Sequence, residues 1–201
     1  FKQKKYLINN IQLSQIEKEN LECAIACCSQ FKIKPKKIIN YLKKITNAPG
    51  RLQLIECKKK NIKVIIDYAH TPDALKKILF TYTNKKIKPS LVFGCGGNRD
   101  ISKRKLMGKI ANENADKIYI TDDNPRNENP SKIRKTIIKY CSKGIEISNR
   151  KKAIEYAIRK MQDNEILIIA GKGHENYQIF KNKIKKFDDS KIVKNTINKY
   201  L

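Results

Sequence analysis

The sequence predicts a doubly wound α/β domain on a mostly parallel sheet, preceded by a short helical tail, and three observations predict it. Four short, β-branched apolar runs, "KVIID" (63–67), "SLVFG" (90–94), "KIYIT" (117–121) and "EILIIAG" (165–171), read as strands covered on both faces. Helical patterns lie between these runs, and alternation of strand and helix argues for a parallel sheet over about residues 52–201. Each run ends in a polar or glycine-rich string, as expected where ligands bind outside the carboxyl ends of strands.

In chain order, residues 19–45 predict two helices. Leu21, Ala24, Ile25 and Cys28 recur at helical spacing, and "KPKKIINYLKKI" follows a proline-containing break. "TNAPGR" (46–51) is punctuated by Pro and Gly and marks a domain boundary, with expected domains of 1–48 and 49–201. Thr71-Pro72-Asp73 carries a helix start: a capping hydroxyl, a proline in the first turn and an acid at the positive end of the dipole. Asn129-Pro130 repeats the device. Ile154, Ala157, Ile158 and Met161 mark one face of a further helix, and the last helix starts near Asp188 or Asp189. No internal repeat is visible.

Composition narrows the function classes. The 201 residues carry 45 Lys+Arg against 19 Asp+Glu, a net charge of +26. Such a charge favours an anionic partner, and a basic nucleic-acid-binding module is one reading. The lysines are scattered through "KKYL", "CKKKNIK", "TNKKIK" and "NKIKKF" rather than set on one stripe, so solvated faces are the other, and no nucleic-acid partner is expected. Six cysteines without a CxxC pair, joined by only His70 and His174, predict free thiols and no metal site. The longest apolar runs fall well short of the roughly 20 residues that span a bilayer. With no leader visible, a cytoplasmic monomer that does not contact membranes is expected. The chain opens on Phe1 in mid-pattern, which predicts a piece of a longer protein.

The four strand-end strings are "DYAHTPD" (67–73), "GCGGNRD" (94–100), "TDDNPR" (121–126) and "GKGHE" (171–175). "GCGGNRD" lacks the Gly-Lys-Ser/Thr ending of a P-loop and is not GxGxxG. Its small residues let a ligand approach backbone N–H groups, and Arg99 adds a fork for a carboxylate or phosphate. His70 and His174 read either as site residues or as turn residues; neither has a Ser or Cys at nucleophile spacing, so covalent catalysis is set aside. In "DDNPR", Asn124 offers donor and acceptor, Pro125 stiffens the turn and Arg126 presents two parallel N–H groups to a planar anion. An Asx turn with an exposed arginine is the alternative.

Taken together and in order, "APGRLQ…VIIDYAHTPDALKKIL…VFGCGGNRDISKRKLMGKIA…ADKIYITDDNPRNENP…ILIIAGKGHENYQ" resembles the carboxy-terminal part of the Mur ligase family, in its diaminopimelate-adding branch, over about residues 48–190. The resemblance implies a Rossmann-like amino-acid-binding domain preceded by the tail of a central ATPase domain. It implies a role in peptidoglycan biosynthesis: ATP-dependent addition of meso-diaminopimelate to UDP-N-acetylmuramoyl-L-alanyl-D-glutamate through an acyl phosphate, with Mg²⁺ held mostly by the central domain. By motif match, Asp123, Asn124, Pro125 and Arg126 form the string that selects diaminopimelate. Arg99, Gly171 and Glu175 match the other amino-acid contacts. Arg51, Asp67 and Asn20 match positions that contact ATP, although the family's Gly and Phe-Asn before the last of these read here Ser14 and Ile16-Glu17. His70 falls near the phosphates and is a possible catalytic residue. Neither a P-loop nor a uridine-nucleotide domain is present, so the chain alone is expected not to catalyse ligation. An inactive remnant of such a ligase is the remaining alternative.

Overall fold

The computed structural model describes residues 15–31, 33–42, 48–83 and 87–201. The chain divides into two compact units, Phe1–Thr46 and Asn47–Leu201. In the first, α1 (Gln15–Gln30) and α2 (Pro35–Leu42) form where two helices are expected; the end of the second, residues 43–45, lies outside the described residues. No residue of α1 is buried.

The second unit begins with β1 (Gln53–Cys57), a 3₁₀ turn and β2 (Ile62–Asp67). There follow α3 (Pro72–Tyr82), β3 (Ser90–Phe93), α4 (Ser102–Asn114), β4 (Ile118–Ile120), α5 (Pro130–Ile138) and β5 (Gly144–Glu146). The chain ends with α6 (Arg150–Arg159), β6 (Ile166–Ala170), the hairpin β7 (Tyr177–Phe180) and β8 (Lys183–Lys186), and α7 (Asp189–Tyr200). The main sheet has the order β1-β2-β6-β3-β4-β5. All neighbours are parallel except β1, which runs antiparallel along the β2 edge. The four expected strands become β2, β3, β4 and β6, side by side in the centre. Because β6, the last strand of this sheet in sequence, inserts between β2 and β3, all four polar strings emerge along one edge of adjacent strands.

Period-two alternation sorts the side chains onto two faces. Ile66, Ile169, Val92 and Tyr119 stand in register across the sheet and pack with Ala153, Ile154, Ala157, Ile158 and Met161 of α6 and its loop and with Val193 and Ile197 of α7. The expected face of α6 is thus the buried one. Ile65, Ile168, Leu91 and Ile118 form the opposite row and are buried, as are Leu75, Ile78 and Leu79 of α3, Met107 and Ala111 of α4 and Ile133 and Ile137 of α5. Each buried Ile, Leu, Val or Met among them contributes about 1.5–3 kcal/mol.

The expected helix starts form as predicted. Thr71 Oγ1 accepts from the Ala74 amide ahead of Pro72, Asn129 Oδ1 accepts from Ser131 and Lys132 ahead of Pro130, and Asp188 caps α7. All six cysteines are free; Cys57, Cys95 and Cys141 are buried, and burial pushes the Cys95 thiol up to about 12. Among the described residues no helix is long and apolar enough to cross a membrane.

Candidate functional site

The site is built from loops pressed together at the carboxyl ends of β2, β6, β3 and β4. The glycines after β3 explain how closely they pack. A Cβ on Gly94 would lie 2.2 Å from the Thr121 carbonyl oxygen, and one on Gly97 would lie 2.0 Å from that of Pro125. The loops after β3 and β4 therefore meet backbone to backbone, joined by Gly97 N donating to Asn124 O at 2.9 Å. Arg104 braces them from below, donating to Gly96 O (3.3 Å) and Glu128 Oε1 (2.9 Å).

Arg126 does not extend into bulk solvent. It is half-buried, its backbone is left-handed (φ 51°), and its Nη1 donates to Gly97 O at 2.9 Å and Asn124 O at 3.3 Å. The remaining guanidinium donors carry no hydrogen bond among the described residues. The backbone of Arg126 is zipped to the β7–β8 hairpin: its N–H donates to Ile179 O at 3.0 Å and its carbonyl accepts from Lys181 N at 2.7 Å. Arg99 lies exposed across Gly96, whose added Cβ would sit 2.9 Å from Arg126 Nη1 and 3.9 Å from Arg99 Cγ.

Lys172, between Gly171 and Gly173 after β6, organises the other half of the cluster. Its side chain is fully buried, and Nζ donates to Asn124 Oδ1 (2.9 Å), Tyr177 O (2.7 Å) and Glu175 Oε2 (3.2 Å). It also pairs with Asp123 Oδ1 at 3.3 Å, in a geometry that makes no hydrogen bond to that buried oxygen. Asn124 is engaged at both ends: Oδ1 accepts from Lys172 and from Ile179 N (3.0 Å), and Nδ2 donates to Glu175 Oε2 (2.9 Å). Glu175 Oε1 carries no hydrogen bond among the described residues. Gly171 has a φ of 114°, where a side chain is strained, and an added Cβ would lie 3.1 Å from Asp123 Oδ2. Pro125 is buried in the same loop.

At the tip of β2, Asp67 receives Leu52 N on Oδ2 (2.9 Å) and Ala69 N on Oδ1 (2.8 Å). Burial raises its pKa, opposed by those two N–H groups and by Arg51. Arg51 stacks over the Tyr68 ring at 4.5 Å, and that ring also meets His70 (4.5 Å) and His174 (5.4 Å). His70 Nδ1 lies 2.8 Å from Tyr68 O. Asn20 is exposed on α1, in the other unit.

Arg99, Asp123, Asn124, Pro125, Arg126, Gly171 and Glu175 thus line one loop cluster, and Arg51, Asp67 and His70 gather at the neighbouring strand end. Sequence reasoning missed Lys172, Tyr68 and the hairpin that registers Arg126. The glycines on either side of Lys172 were the available signal. A cavity of about 1210 Å³ opens on the other side of the hairpin, between it, α6 and α7. Its lining contains none of the expected binding residues but includes Lys151, Lys185, Lys186, Lys191 and Lys199. Among the described residues, no three His, Cys, Asp or Glu side chains come together as a metal site. Asp123 and Glu175, the acids of the loop cluster, already share the Lys172 ammonium, and with that cation seated between them they do not fit Mg²⁺.

Residues 50–173 match the model of "Mur ligase, glutamate ligase domain". The UDP-N-acetylmuramoyl-L-alanyl-D-glutamate–2,6-diaminopimelate ligase of Rickettsia rickettsii is 43% identical over 202 residues, covering 98% of this chain and 41% of that protein. The enzyme of the same name from Buchnera aphidicola is 47% identical over 181 residues, covering 87% and 36%. A solved structure of a ligase of that name superposes with a TM-score of 0.70 at 35% identity, over 94% of this chain and 39% of that one. The chain spans about two fifths of the length of the curated relatives it matches. With the family model matched over more than half of the chain and relatives 43% and 47% identical covering most of it, the chain belongs to the Mur ligase family.

Proposed function

We propose that this chain is the amino-acid-binding part of an ATP-dependent ligase that joins meso-diaminopimelate to UDP-N-acetylmuramoyl-L-alanyl-D-glutamate in peptidoglycan synthesis. The single observation that carries the proposal is the half-used guanidinium of Arg126. One nitrogen is tied to two loop carbonyls, which fixes the fork, and the remaining donors are uncommitted. Diaminopimelate differs from lysine by a carboxylate at the far end. A fixed fork accepts that carboxylate through charge-assisted bonds, while lysine leaves it unpaired beside another cation. Arg99 adds positive charge on the same side. Glu175 Oε1, which carries no hydrogen bond among the described residues, suits an ammonium group, with the negative charge of Asp123 behind it. Both ends of the Asn124 amide have protein partners, so its part is to orient Glu175 and the loop.

In the reaction, ATP converts the glutamate γ-carboxylate to an acyl phosphate, and the amine of diaminopimelate attacks it with loss of phosphate. These residues contribute by holding the amine in place, where orientation alone supplies several kcal/mol. Arg51 and Asp67 serve the nucleotide and His70 its phosphates; Asn20, in the other unit, is a further ATP-contacting residue by motif match alone. The chain alone does not ligate, because it holds no P-loop.

The test is a titration of the chain with meso-diaminopimelate and with L-lysine, followed by NMR. The wild type prefers diaminopimelate. Arg126→Ala reduces the preference roughly 10- to 100-fold, the loss of hydrogen bonds to a charged group at about 1.5–3 kcal/mol. Equal binding of both amino acids by the wild type sinks the proposal. The five lysines lining the cavity beside the hairpin favour a second reading, a polyanion-binding module. Polynucleotide binding that weakens steeply with salt would support it.

A further inference from the structure

We propose that Lys172 is a positioning residue for amino-acid binding, acting through Glu175 and Asn124 without touching the amino acid. This rests on the reading of the site given above. A lysine with no exposed side-chain surface is costly to bury unless each ammonium hydrogen finds an acceptor. Here three acceptors from three segments converge on it: Asn124 Oδ1 after β4, Glu175 Oε2 in its own loop and Tyr177 O at the start of β7.

The consequence for Asn124 is directional. An ammonium group donates and never accepts, so Lys172 obliges the Asn124 oxygen to face it. The Ile179 N–H makes the same demand of that oxygen. The Asn124 NH₂ is then turned onto Glu175 Oε2. Both donors reach one oxygen of Glu175, at 2.9 and 3.2 Å, and leave Oε1 for a ligand. The same ammonium, 3.3 Å from Asp123 Oδ1, screens two carboxylates that would otherwise repel each other across the loops. Lys172 therefore selects which Glu175 oxygen is presented.

The measurement is the dissociation constant of meso-diaminopimelate for the full chain, by NMR titration, in wild type, Lys172→Met, Glu175→Gln and the double variant. Lys172→Met weakens binding at least tenfold while the spectrum stays dispersed. In the Glu175→Gln background the same substitution adds less than a threefold loss, because a residue that acts through Glu175 has little left to act on once that charge is gone. A lysine that merely packed the loops would add its full loss in both backgrounds, and that additive result overturns the inference. Wild-type affinity in Lys172→Met also overturns it. Should Lys172→Met lose its folded spectrum, the double variant, which removes one charge of each sign, is compared directly with Glu175→Gln: matching constants support the inference and a further tenfold loss refutes it. Failure of the wild type to bind diaminopimelate would instead refute the function proposed above.

Discussion

Two buried cations sit at the same end of β6, and their settings are opposite. Arg150, 1% exposed, donates Nη2 to the carbonyl of Ala170, the last residue of β6. Lys172, 0% exposed, lies two residues beyond. Arg150 faces one acid in a bidentate grip, Nε to Asp189 Oδ1 at 2.9 Å and Nη2 to Oδ2 at 2.8 Å, and Asp189 is buried as well. Lys172 shares one ammonium between Asp123 and Glu175, an amide oxygen and a carbonyl. The first is a closed pair that ties the starts of α6 and α7 to the sheet. The second is outnumbered by its acids and leaves Glu175 Oε1 without a hydrogen bond among the described residues. A cation matched one to one serves the scaffold; a cation in the minority leaves a charge for something else to complete.

The largest effect that could break this comparison is on stability. Arg150→Met leaves Asp189 buried without a counter-charge and should lower unfolding free energy by about 3–5 kcal/mol in urea titrations. Arg150→Met/Asp189→Leu should recover most of that loss, since replacing a buried pair with apolar groups is often neutral. The pair is not perfectly satisfied, because Arg150 Nη1 is buried without a hydrogen-bond partner among the described residues. If the double variant keeps its stability but no longer binds diaminopimelate, the pair is not mere scaffold and the distinction fails.

A smaller effect sharpens the other side. Asp123→Asn removes a charge that Lys172 only partly compensates, and should weaken diaminopimelate binding roughly tenfold, the loss of about one charged contact. Its unfolding midpoint should change far less than that of Asp189→Asn, where a bidentate partner is lost. Comparable destabilisation in the two variants would show that both acids serve folding alone.

The difference between the two cations also marks where sequence reasoning stops. The central strands β2, β3, β4 and β6 were legible because strands covered on both faces are continuous β-branched runs. The edges were not: β1 reads "QLIEC" with alternating exposure, β5 is three residues, and the hairpin strand "KIKK" is wholly exposed. These segments gain their pairing from neighbours rather than from apolar content. The strand-end strings were legible because chemistry-bearing residues cluster there, and the Thr71, Asn129 and Asp188 caps because capping is local. Arg150 and Lys172 were hidden by composition, since a chain with 45 Lys+Arg invites every cation to be assigned to a solvated face. One local clue existed for Arg150: it occupies the first turn of α6, where the helix dipole disfavours a cation, so a partnering acid was implied. The positive φ of Arg126 had no such clue, because it is set by hydrogen bonds to a hairpin more than 50 residues away.

The smallest effect concerns Asp67, a partly buried carboxylate that has backbone donors in place of a buried cation. Two N–H groups hold its oxygens and keep Leu52 in a left-handed conformation (φ 47°) at the entry to β1. Burial nevertheless dominates and raises its pKa above the usual 3.8, with the two N–H groups and Arg51 opposing. A carboxyl whose folded pKa is raised favours folding in its protonated form. That contribution is complete below the unfolded value and is lost as pH climbs through the folded one. The stability advantage of wild type over Asp67→Asn should therefore shrink as pH rises from about 4 to 7, read from paired urea midpoints so that all other titrating groups cancel. An advantage that grows with pH would mean that two N–H groups and an exposed arginine suffice to hold a buried charge, and a carboxylate would then need no buried cation to serve the scaffold.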